Sequence, residues 1–295
     1  WSIFDFLMPG YLFNYHYFQT HFEKNIVQNH DEQTQMKLKK MVEPFILRRT
    51  KSKVLKELPD KIEHTLMIPF EDTEKKLYLA NLSQVNQALS KHLQMERPDK
   101  FAILAMLTRL RQICCEPRIL YENITTASSK LLYCLDLLET LRENHQRVLL
   151  FSSFTSVLDI LEEELIKRRF SYLKLTGNNT KQQRRDMVQQ FQNGLTDVFL
   201  ISLKAGGTGL NLTAASAVIH FDPWWNVSAQ NQATDRAYRI GQNQNVQVYK
   251  LIMKDSIEEK IQKMKKDLSD HFVEENEGSI YHMSYDEIVS LFDME

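Results

Sequence analysis

The sequence is short of the residues that break secondary structure and of those that cross-link chains. Its 295 residues include only 8 glycines and 7 prolines, and no repeat or low-complexity segment divides them. Three cysteines, Cys114, Cys115 and Cys134, lack framework spacing, which predicts buried thiols in a reducing, intracellular setting. No metal site is expected, because adjacent cysteines without a second pair are poor tetrahedral ligands. No apolar run reaches the roughly 18 residues of a membrane-spanning helix.

Net charge is also nearly absent, since 37 basic and 38 acidic residues leave a formal charge of −1. The whole chain is therefore not a basic nucleic-acid binder. Locally, residues 48–61 are strongly basic, whereas residues 271–295 carry acidic side chains and no lysine or arginine. This asymmetry favours a localised polyanion contact, although solvated helix faces explain it equally well.

The composition, 43% hydrophobic and 25% charged, is that of a soluble globular protein with a real core. The first 18 residues are apolar and aromatic but have no basic n-region and no small-residue cleavage site. They also lack an initiator methionine. We therefore expect the chain to start inside a longer polypeptide and not with a signal peptide.

Hydrophobic periodicity predicts a helical start, a strand at 62–68, helices at 71–93 and 101–114, and then strict alternation of strands and helices. This alternation is typical of right-handed βαβ units, so we expect an α/β fold: a parallel sheet with helices on both faces. The predicted domains are a helical region, an α/β lobe with a helical insert at about 71–125, and an acidic tail, at 1–59, 60–270 and 271–295.

Small polar residues follow the strand predicted at 147–151, where a parallel sheet binds its ligands. The hydroxyls of Ser152, Ser153 and Thr155 flank Phe154 at the start of a helix, an arrangement that suits a phosphate. An ordinary N-cap by Ser153 or Thr155 explains them equally well.

After the strand at 171–175, Thr176 and Gly177 allow a backbone to come close, and Arg184 and Arg185 are within reach of a second phosphate. Taken alone, this is a weak signal.

Three of the eight glycines fall within four residues in "SLKAGGTGLNL", just after the strand at 197–201. Glycine lets backbone amides face a ligand, and Lys204 adds a positive charge beside them. A tight packing turn is the alternative. The loop is not a P-loop, because GxxxxGK[ST] occurs nowhere in the chain.

Asp222 follows the strand at 217–221, where it is placed to orient a neighbouring group. Further on, "QNQATDRAYRIGQ" carries Arg236 and Arg239, which share one face if the segment is helical. Two surface ion pairs, each worth about 0–1 kcal/mol, are the plain alternative. Arginine is, however, the preferred partner for the oxygens of a transferring phosphoryl group.

Six stretches of the sequence, in order and over almost the whole chain, resemble the C-terminal motor lobe of Swi/Snf-type ATPases in helicase superfamily two, most closely the bacterial members. They are "PFILRRTKSKVLKELPDKIE", "LRQICCEP", "RVLLFSSFTSVLDIL", "LTGNNTKQQRRDMVQQF", "SLKAGGTGLNL" and "FDPWWNVSAQNQATDRAYRIGQ". Two departures are Val227, where the family usually has proline, and Glu116, where eukaryotic members tend to have histidine.

The resemblance implies a RecA-like second lobe of a motor that closes on ATP with Mg²⁺ and steps along double-stranded DNA without sequence preference. It implies that Arg236 and Arg239 are arginine fingers for the γ-phosphate. It places at the nucleotide cleft Gly207, Gly209, Asp222 and Gln232. It places near the DNA backbone Ser152, Phe154, Thr176, Gly177, Arg184, Ser202 and Lys204.

The ATP-binding lobe of such a motor is not found in the sequence, which has neither a Walker lysine nor an apolar strand followed by a DE-box. We therefore expect a first lobe to lie before residue 1 and the chain alone to lack appreciable ATPase activity. The other expected partners are DNA and a protein target on DNA, but no membrane. The expected location is the bacterial cytoplasm at the nucleoid, or the nucleus in a eukaryote.

Two other functions fit the same fold. A strand-separating DNA or RNA helicase would share the lobe, but "DRAYRIGQ" differs from the HRxGRxxR pattern of RNA helicases. A non-catalytic DNA-binding or protein-binding module would have no use for the two arginines, so we consider it the weaker alternative.

Overall fold

The computed structural model describes residues 1–27, 29, 31–47, 58–93, 100–206, 209–222, 227–271 and 291–292. The chain divides into two compact units, Trp1–Glu57 and Leu58–Glu295. Within the described residues, no helix is both long and apolar enough to cross a membrane.

The first unit consists of short helices. They are α1 (Ser2–Leu7), α2 (Tyr15–Phe18), a π-helical turn (Gln19–Glu23), α3 (Lys24–Val27), α4 (Glu32–Val42) and a 3-10 turn (Glu43–Phe45). Asp31 caps α4, because its carboxylate accepts hydrogen bonds from the Gln33 N–H and the Thr34 hydroxyl. The ring of Tyr11 packs against those of Phe4 and Phe45, and these aromatic contacts hold the helices together.

The second unit is built on six parallel strands. They are β1 (Lys61–Ile68), β2 (Val148–Ser152), β3 (Tyr172–Leu175), β4 (Val198–Ser202), β5 (Ala217–His220) and β6 (Val246–Met253). Their order across the sheet is β1-β6-β5-β2-β4-β3, and every pairing is parallel. The predicted parallel α/β fold is confirmed.

Helices cover both faces of this sheet. They are α5 (Asp72–Leu93), α6 (Lys100–Cys115), α7 (Ser129–Glu143), α8 (Thr155–Lys167), α9 (Lys181–Gln192), α10 (Leu203–Gly206), α11 (Val227–Thr234) and α12 (Ile257–His271). Side chains alternate along a strand, so Leu150 joins a core cluster with α5–α8 and α12, whereas Leu149 joins one with α9–α11. The polar α9, the glycine loop and the arginine segment thus share one face.

Two other parts of the second unit are buried. Leu291 and Phe292, in the acidic tail, belong to the core cluster that contains α5, and the Asn86 amide donates to the Phe292 carbonyl at 3.4 Å. All three cysteines are buried and free, as predicted, and burial raises the pKa of the Cys134 thiol to about 12.

A fully buried ion pair joins α7 to α12. Lys130 Nζ lies 2.7 and 2.6 Å from the two carboxylate oxygens of Glu258, and both side chains are 0% exposed. The Met253 N–H also donates to Glu258, at 3.0 Å. Two desolvated charges of this kind are tolerated only because each satisfies the other.

Removing one partner of this pair should destabilise the chain far more than removing both charges. Lys130→Met leaves the Glu258 carboxylate buried and unpaired, and we expect it to lower the free energy of unfolding by about 3–5 kcal/mol. Adding Glu258→Gln should restore most of the loss, because the amide oxygen still accepts from Met253. Urea unfolding of the chain measures both. A double variant no more stable than the single one would contradict this expectation.

Glu63 lies on edge strand β1 between two lysines, with Lys61 and Lys250 Nζ each 2.6 Å from one of its oxygens. Burial alone would raise the pKa of Glu63, but the hydrogen bonds from Lys250 and Lys61 lower it from 4.5 to about 2. The folded-state pKa lies below the unfolded one. The stabilisation is therefore present above pH 4.5 and is lost as the pH falls towards 2.

We expect Glu63→Gln to reduce the free energy of unfolding at pH 7 by at most about 1 kcal/mol, because the side chain is partly exposed. The difference from the unaltered chain should shrink below pH 4.5 and vanish near pH 2. Exposed Glu71, just after the same strand, provides the control Glu71→Gln. A difference that persists unchanged at low pH would show that the charge does not cause it.

Candidate functional site

The segments that leave the carboxyl ends of β5, β2, β4 and β3 lie along one edge of the sheet. In the parallel sheet these four strands are neighbours in that order. The structure therefore brings together the segments that begin at residues 221, 153, 203 and 176, as the sequence predicts.

Asp222 connects the ends of β5 and β2. It is 1% exposed, and its Oδ1 accepts from Ser152 Oγ at 2.6 Å and from the Ser153 N–H at 3.0 Å. Its Oδ2 accepts from the Ser153 hydroxyl and, at 3.0 Å, from Arg111 Nη2. Inside the protein this carboxylate already has several donors, so it orients neighbouring groups. Its expected place at the nucleotide cleft stays a prediction.

Arg111, on α6, is the cation that neutralises Asp222. The guanidinium is 3% exposed, donates from Nη2 to Ser153 Oγ at 3.1 Å, and lies 5.1 Å from the centre of the Phe154 ring. Sequence reasoning gave Arg111 no role. The sequence did contain a signal that Arg111 is buried. This arginine lies on a predicted helix beside the apolar residues Leu107 and Leu110, which are themselves buried.

The residues after β2 face inward. Ser152 is fully buried, and Phe154 is half-buried beneath Arg111. The alternative of an ordinary N-cap by Ser153 or Thr155 is wrong. Phe154 occupies the N-cap position of α8, and its side chain has no atom that could accept a hydrogen bond, while the Ser153 hydroxyl donates to Asp222. A DNA contact of Ser152 or Phe154 stays a prediction.

After β3, Arg184 closes a compact loop. Its guanidinium donates to the carbonyl oxygens of Asn179 at 3.1 Å and Thr176 at 3.3 Å, and Asn179 Oδ1 accepts from the Thr176 N–H at 2.7 Å. Thr180 caps α9 in a reciprocal pair with Gln183. The predicted contact residue Arg184 thus also fixes the shape of the loop.

Two glycines at this edge are not required by the chain itself. Neither Gly177 nor Gly209 has a positive φ, and a Cβ on either would meet no heavy atom of the described chain within 4 Å. The tight packing turn considered as an alternative therefore does not explain Gly209. Gly207, also expected at the cleft, lies outside the described residues.

A pocket of about 310 Å³ lies between α9 and the glycine loop. It is lined by Arg184, Arg185, Val188, Gln189, Gly209, Leu210 and Asn211. It brings the predicted Arg184 and Gly209 together with the Gln189 and Asn211 side chains, to which the sequence gave no role. Most of its lining is apolar, and the two arginines make one part of it cationic.

The β4 end contributes one buried and one exposed residue. Ser202 is buried, and its hydroxyl accepts from the Ala205 N–H at 3.3 Å, which starts the short helix α10. Lys204 is exposed on that helix. Only the lysine therefore presents its side chain to solvent here.

The two arginines do not lie on a helix, contrary to the expectation. Helix α11 ends at Thr234, and the chain continues through turns to Gly241, whose φ is +99°. A tertiary contact accounts for the ending, because the Leu212 N–H donates to the Arg236 carbonyl at 2.9 Å. Burial and the Arg239 charge lower the pKa of Arg236, and the Asp235 charge opposes this shift. Arg239 itself is exposed.

Gln242 fastens the arginine turn to the segment after the glycine loop. It is 6% exposed, and Nε2 donates to the carbonyl oxygens of Thr213 at 3.1 Å, Ala215 at 2.8 Å and Ala237 at 3.1 Å. Sequence reasoning missed this residue, although it closes the "RIGQ" motif. Gln232, expected at the cleft, is exposed on α11.

Two family profiles match the chain. The SNF2-related domain matches residues 1–119, and the Helicase conserved C-terminal domain matches residues 129–241. The chain belongs to the SNF2-type family of helicase-related ATPases.

Individual relatives of this SNF2-type chain agree. It is 39% identical to an uncharacterized ATP-dependent helicase of Mycoplasma genitalium over 99% of this chain and 28% of that protein. It is 33% identical to the ISWI chromatin-remodeling complex ATPase ISW2 of Saccharomyces cerevisiae over 88% of this chain and 24% of that protein. The chain thus spans about a quarter of the length of these relatives.

A solved structure shares the fold of the SNF2-type chain. The Sulfolobus solfataricus SWI2/SNF2 ATPase core in complex with dsDNA has a TM-score of 0.68 and 30% identity, covering 100% of this chain and 64% of that one. This match supports the RecA-like lobe expected from the sequence.

Replacing Gln242 should loosen the arginine turn of this SNF2-type chain. Gln242→Met keeps the side-chain volume but leaves buried carbonyl oxygens without their donor. We therefore expect it to lower the free energy of unfolding by about 1–3 kcal/mol. Exposed Gln244 provides the matched control Gln244→Met, with an expected change near zero. Thermal or urea unfolding of the chain distinguishes them. Equal stabilities of the two variants would show that the side-chain bonds contribute nothing.

Proposed function

We propose that this chain is the second lobe of an ATP-driven motor that moves along double-stranded DNA without sequence preference. The observation that carries the proposal is the arginine pair, held beside the glycine loop at the ligand-binding edge of a RecA-like sheet. Arg236 is half-buried and anchored through its backbone, whereas Arg239 is exposed. In addition, an SNF2-type structure of the same fold is one in complex with dsDNA.

In this proposal the arginine pair completes a nucleotide site whose other half lies on a separate lobe. The γ-phosphate of ATP carries several oxygens, and two guanidiniums present planar forks of donors to them. Charge that develops on those oxygens during hydrolysis is stabilised by the pair. The neighbouring lobe would hold the nucleotide and Mg²⁺, because this chain has no P-loop. Gly209 and Gln232 would line the side of the nucleotide site that this chain forms.

The opposite end of the same edge would contact the DNA backbone. Gly177 leaves open space that the chain does not fill, Arg184 and Arg185 line the neighbouring pocket, and Lys204 is exposed on α10. Phosphate contacts of this kind position a protein on DNA but read no sequence. What the motor displaces on DNA would be decided by parts of the protein other than this lobe.

The test compares ATP hydrolysis by this chain alone with hydrolysis by a polypeptide that joins it to the ATP-binding lobe. We expect no DNA-stimulated hydrolysis by the chain alone. In the joined protein, Arg239→Ala should reduce turnover by about 10³–10⁵-fold, the usual worth of an arginine finger. Arg239→Lys should recover only a small part of the turnover that Arg239→Ala loses, because an ammonium lacks the planar fork.

The matched control is Arg169→Asn, at an exposed arginine before β3, on the opposite edge of the sheet. It should leave turnover near that of the unaltered protein, and both variants should bind ATP and DNA. Hydrolysis by the chain alone, or loss of ATP binding in Arg239→Ala as severe as the loss of turnover, would refute the proposed role.

A further inference from the structure

Arg111 lies where the two halves of the candidate site meet. One nitrogen, Nη2, donates both to Ser153, in the segment that opens α8, and to Asp222, at the end of β5. The segment at Ser153 is flanked by two expected DNA-backbone positions. The chain after Asp222 leads to α11 and the arginine turn. The guanidinium therefore touches both parts that a DNA-driven motor must connect.

A continuous set of contacts leads from Asp222 to the arginines. His220, two residues earlier on β5, has Nε2 within 2.9 Å of the Thr234 hydroxyl at the end of α11. The Thr234 carbonyl then accepts from the Ala237 and Tyr238 N–H groups, each at 3.1 Å. These contacts connect the β5 end to the turn between Arg236 and Arg239.

The geometry at Arg111 depends on a guanidinium. Its terminal nitrogen Nη2 reaches two acceptors while its flat face lies over the Phe154 ring, at 5.1 Å. A lysine in the same place would still neutralise Asp222 but would lack the flat face over Phe154. The charge and the positioning can therefore be separated by one substitution.

Stability alone does not account for this pair. The side chains of Arg111 and Asp222 are 3% and 0% exposed, so both charges have lost their hydration. Buried ion pairs are often no more stabilising than apolar residues of the same volume. What a fully bonded buried network does provide is one fixed arrangement of its members.

We propose that Arg111 is a positioning residue that holds the ends of β2 and β5 in one arrangement, so that DNA bound near the β2 end promotes ATP hydrolysis at the arginine pair. The inference rests on the proposed motor function. It assigns to α6, which no expected site residue occupies, the task of coupling the two sites.

The decisive variant is Arg111→Lys, with Arg109→Lys as the matched control. Arg109 lies two residues earlier on α6 and bonds to Asn81 and Tyr121, away from the strand ends. In the joined two-lobe protein we measure the ratio of DNA-stimulated to DNA-independent hydrolysis. Arg111→Lys should lower this ratio by about tenfold, within the range of coupling energies between sites, and Arg109→Lys should not change it.

Ser153→Ala is the second variant, since it removes the hydroxyl that Arg111 and Asp222 share without altering any charge. It should lower the same ratio. A merely structural role would reduce both hydrolysis rates together and leave the ratio unchanged. An unchanged ratio in Arg111→Lys would therefore overturn the proposal.

Amide hydrogen exchange of this chain tests the positioning without any hydrolysis. Arg111→Lys should speed exchange in residues 152–155 and 234–242 together, compared with Arg109→Lys. Faster exchange around residue 111 alone, or evenly over the chain, would refute the coupling. Should the paired response occur while the unaltered two-lobe protein shows no DNA-stimulated hydrolysis, the motor function fails and the positioning role stands.

Discussion

Parallel pairing of β2 with both β4 and β5 is the constraint on which the site depends. Because all the strands run the same way, the residue that follows each strand reaches the same edge of the sheet. Segments at 152, 176, 203 and 222 are distant in sequence, and they become neighbours only through this pairing. The inner strands, apolar on both faces, cannot shift register without exposing their core residues.

Buried charges then restrict how this edge can be arranged. The Arg111–Asp222 and Lys130–Glu258 pairs both lie in the second unit with almost no exposure. Each ion can remain desolvated only while its partner stays at hydrogen-bonding distance. The pairs therefore hold α6 against the strand ends and α12 against α7. Apolar contacts are less directional and would allow these helices more freedom.

The sequence predicts the fold and the location of the site because both follow from local patterns. Apolar runs of about five residues between helical periods identify the strands. The same patterns could not predict the end of α11, since the Leu212–Arg236 bond that accompanies it joins separate segments. Nor could they find the roles of Arg111 and Gln242. The partners of these two residues lie up to 111 and 29 positions away, so their roles depend on the completed fold.

In the arginine turn the positive charges of Arg236 and Arg239 repel each other, and the neighbouring carboxylate of Asp235 offsets part of this repulsion. Burial and the charge of Arg239 both disfavour the charged form of Arg236, which lowers its pKa. The Leu212–Arg236 backbone bond and the hydrogen bonds of Gln242 hold the backbone of this turn in spite of the repulsion. Under the proposed function, a polyphosphate bound at this turn would be attracted by both charges. The fold thus keeps these two positive charges in one short turn by hydrogen bonds within the chain itself, which is what the proposed contact with a γ-phosphate requires.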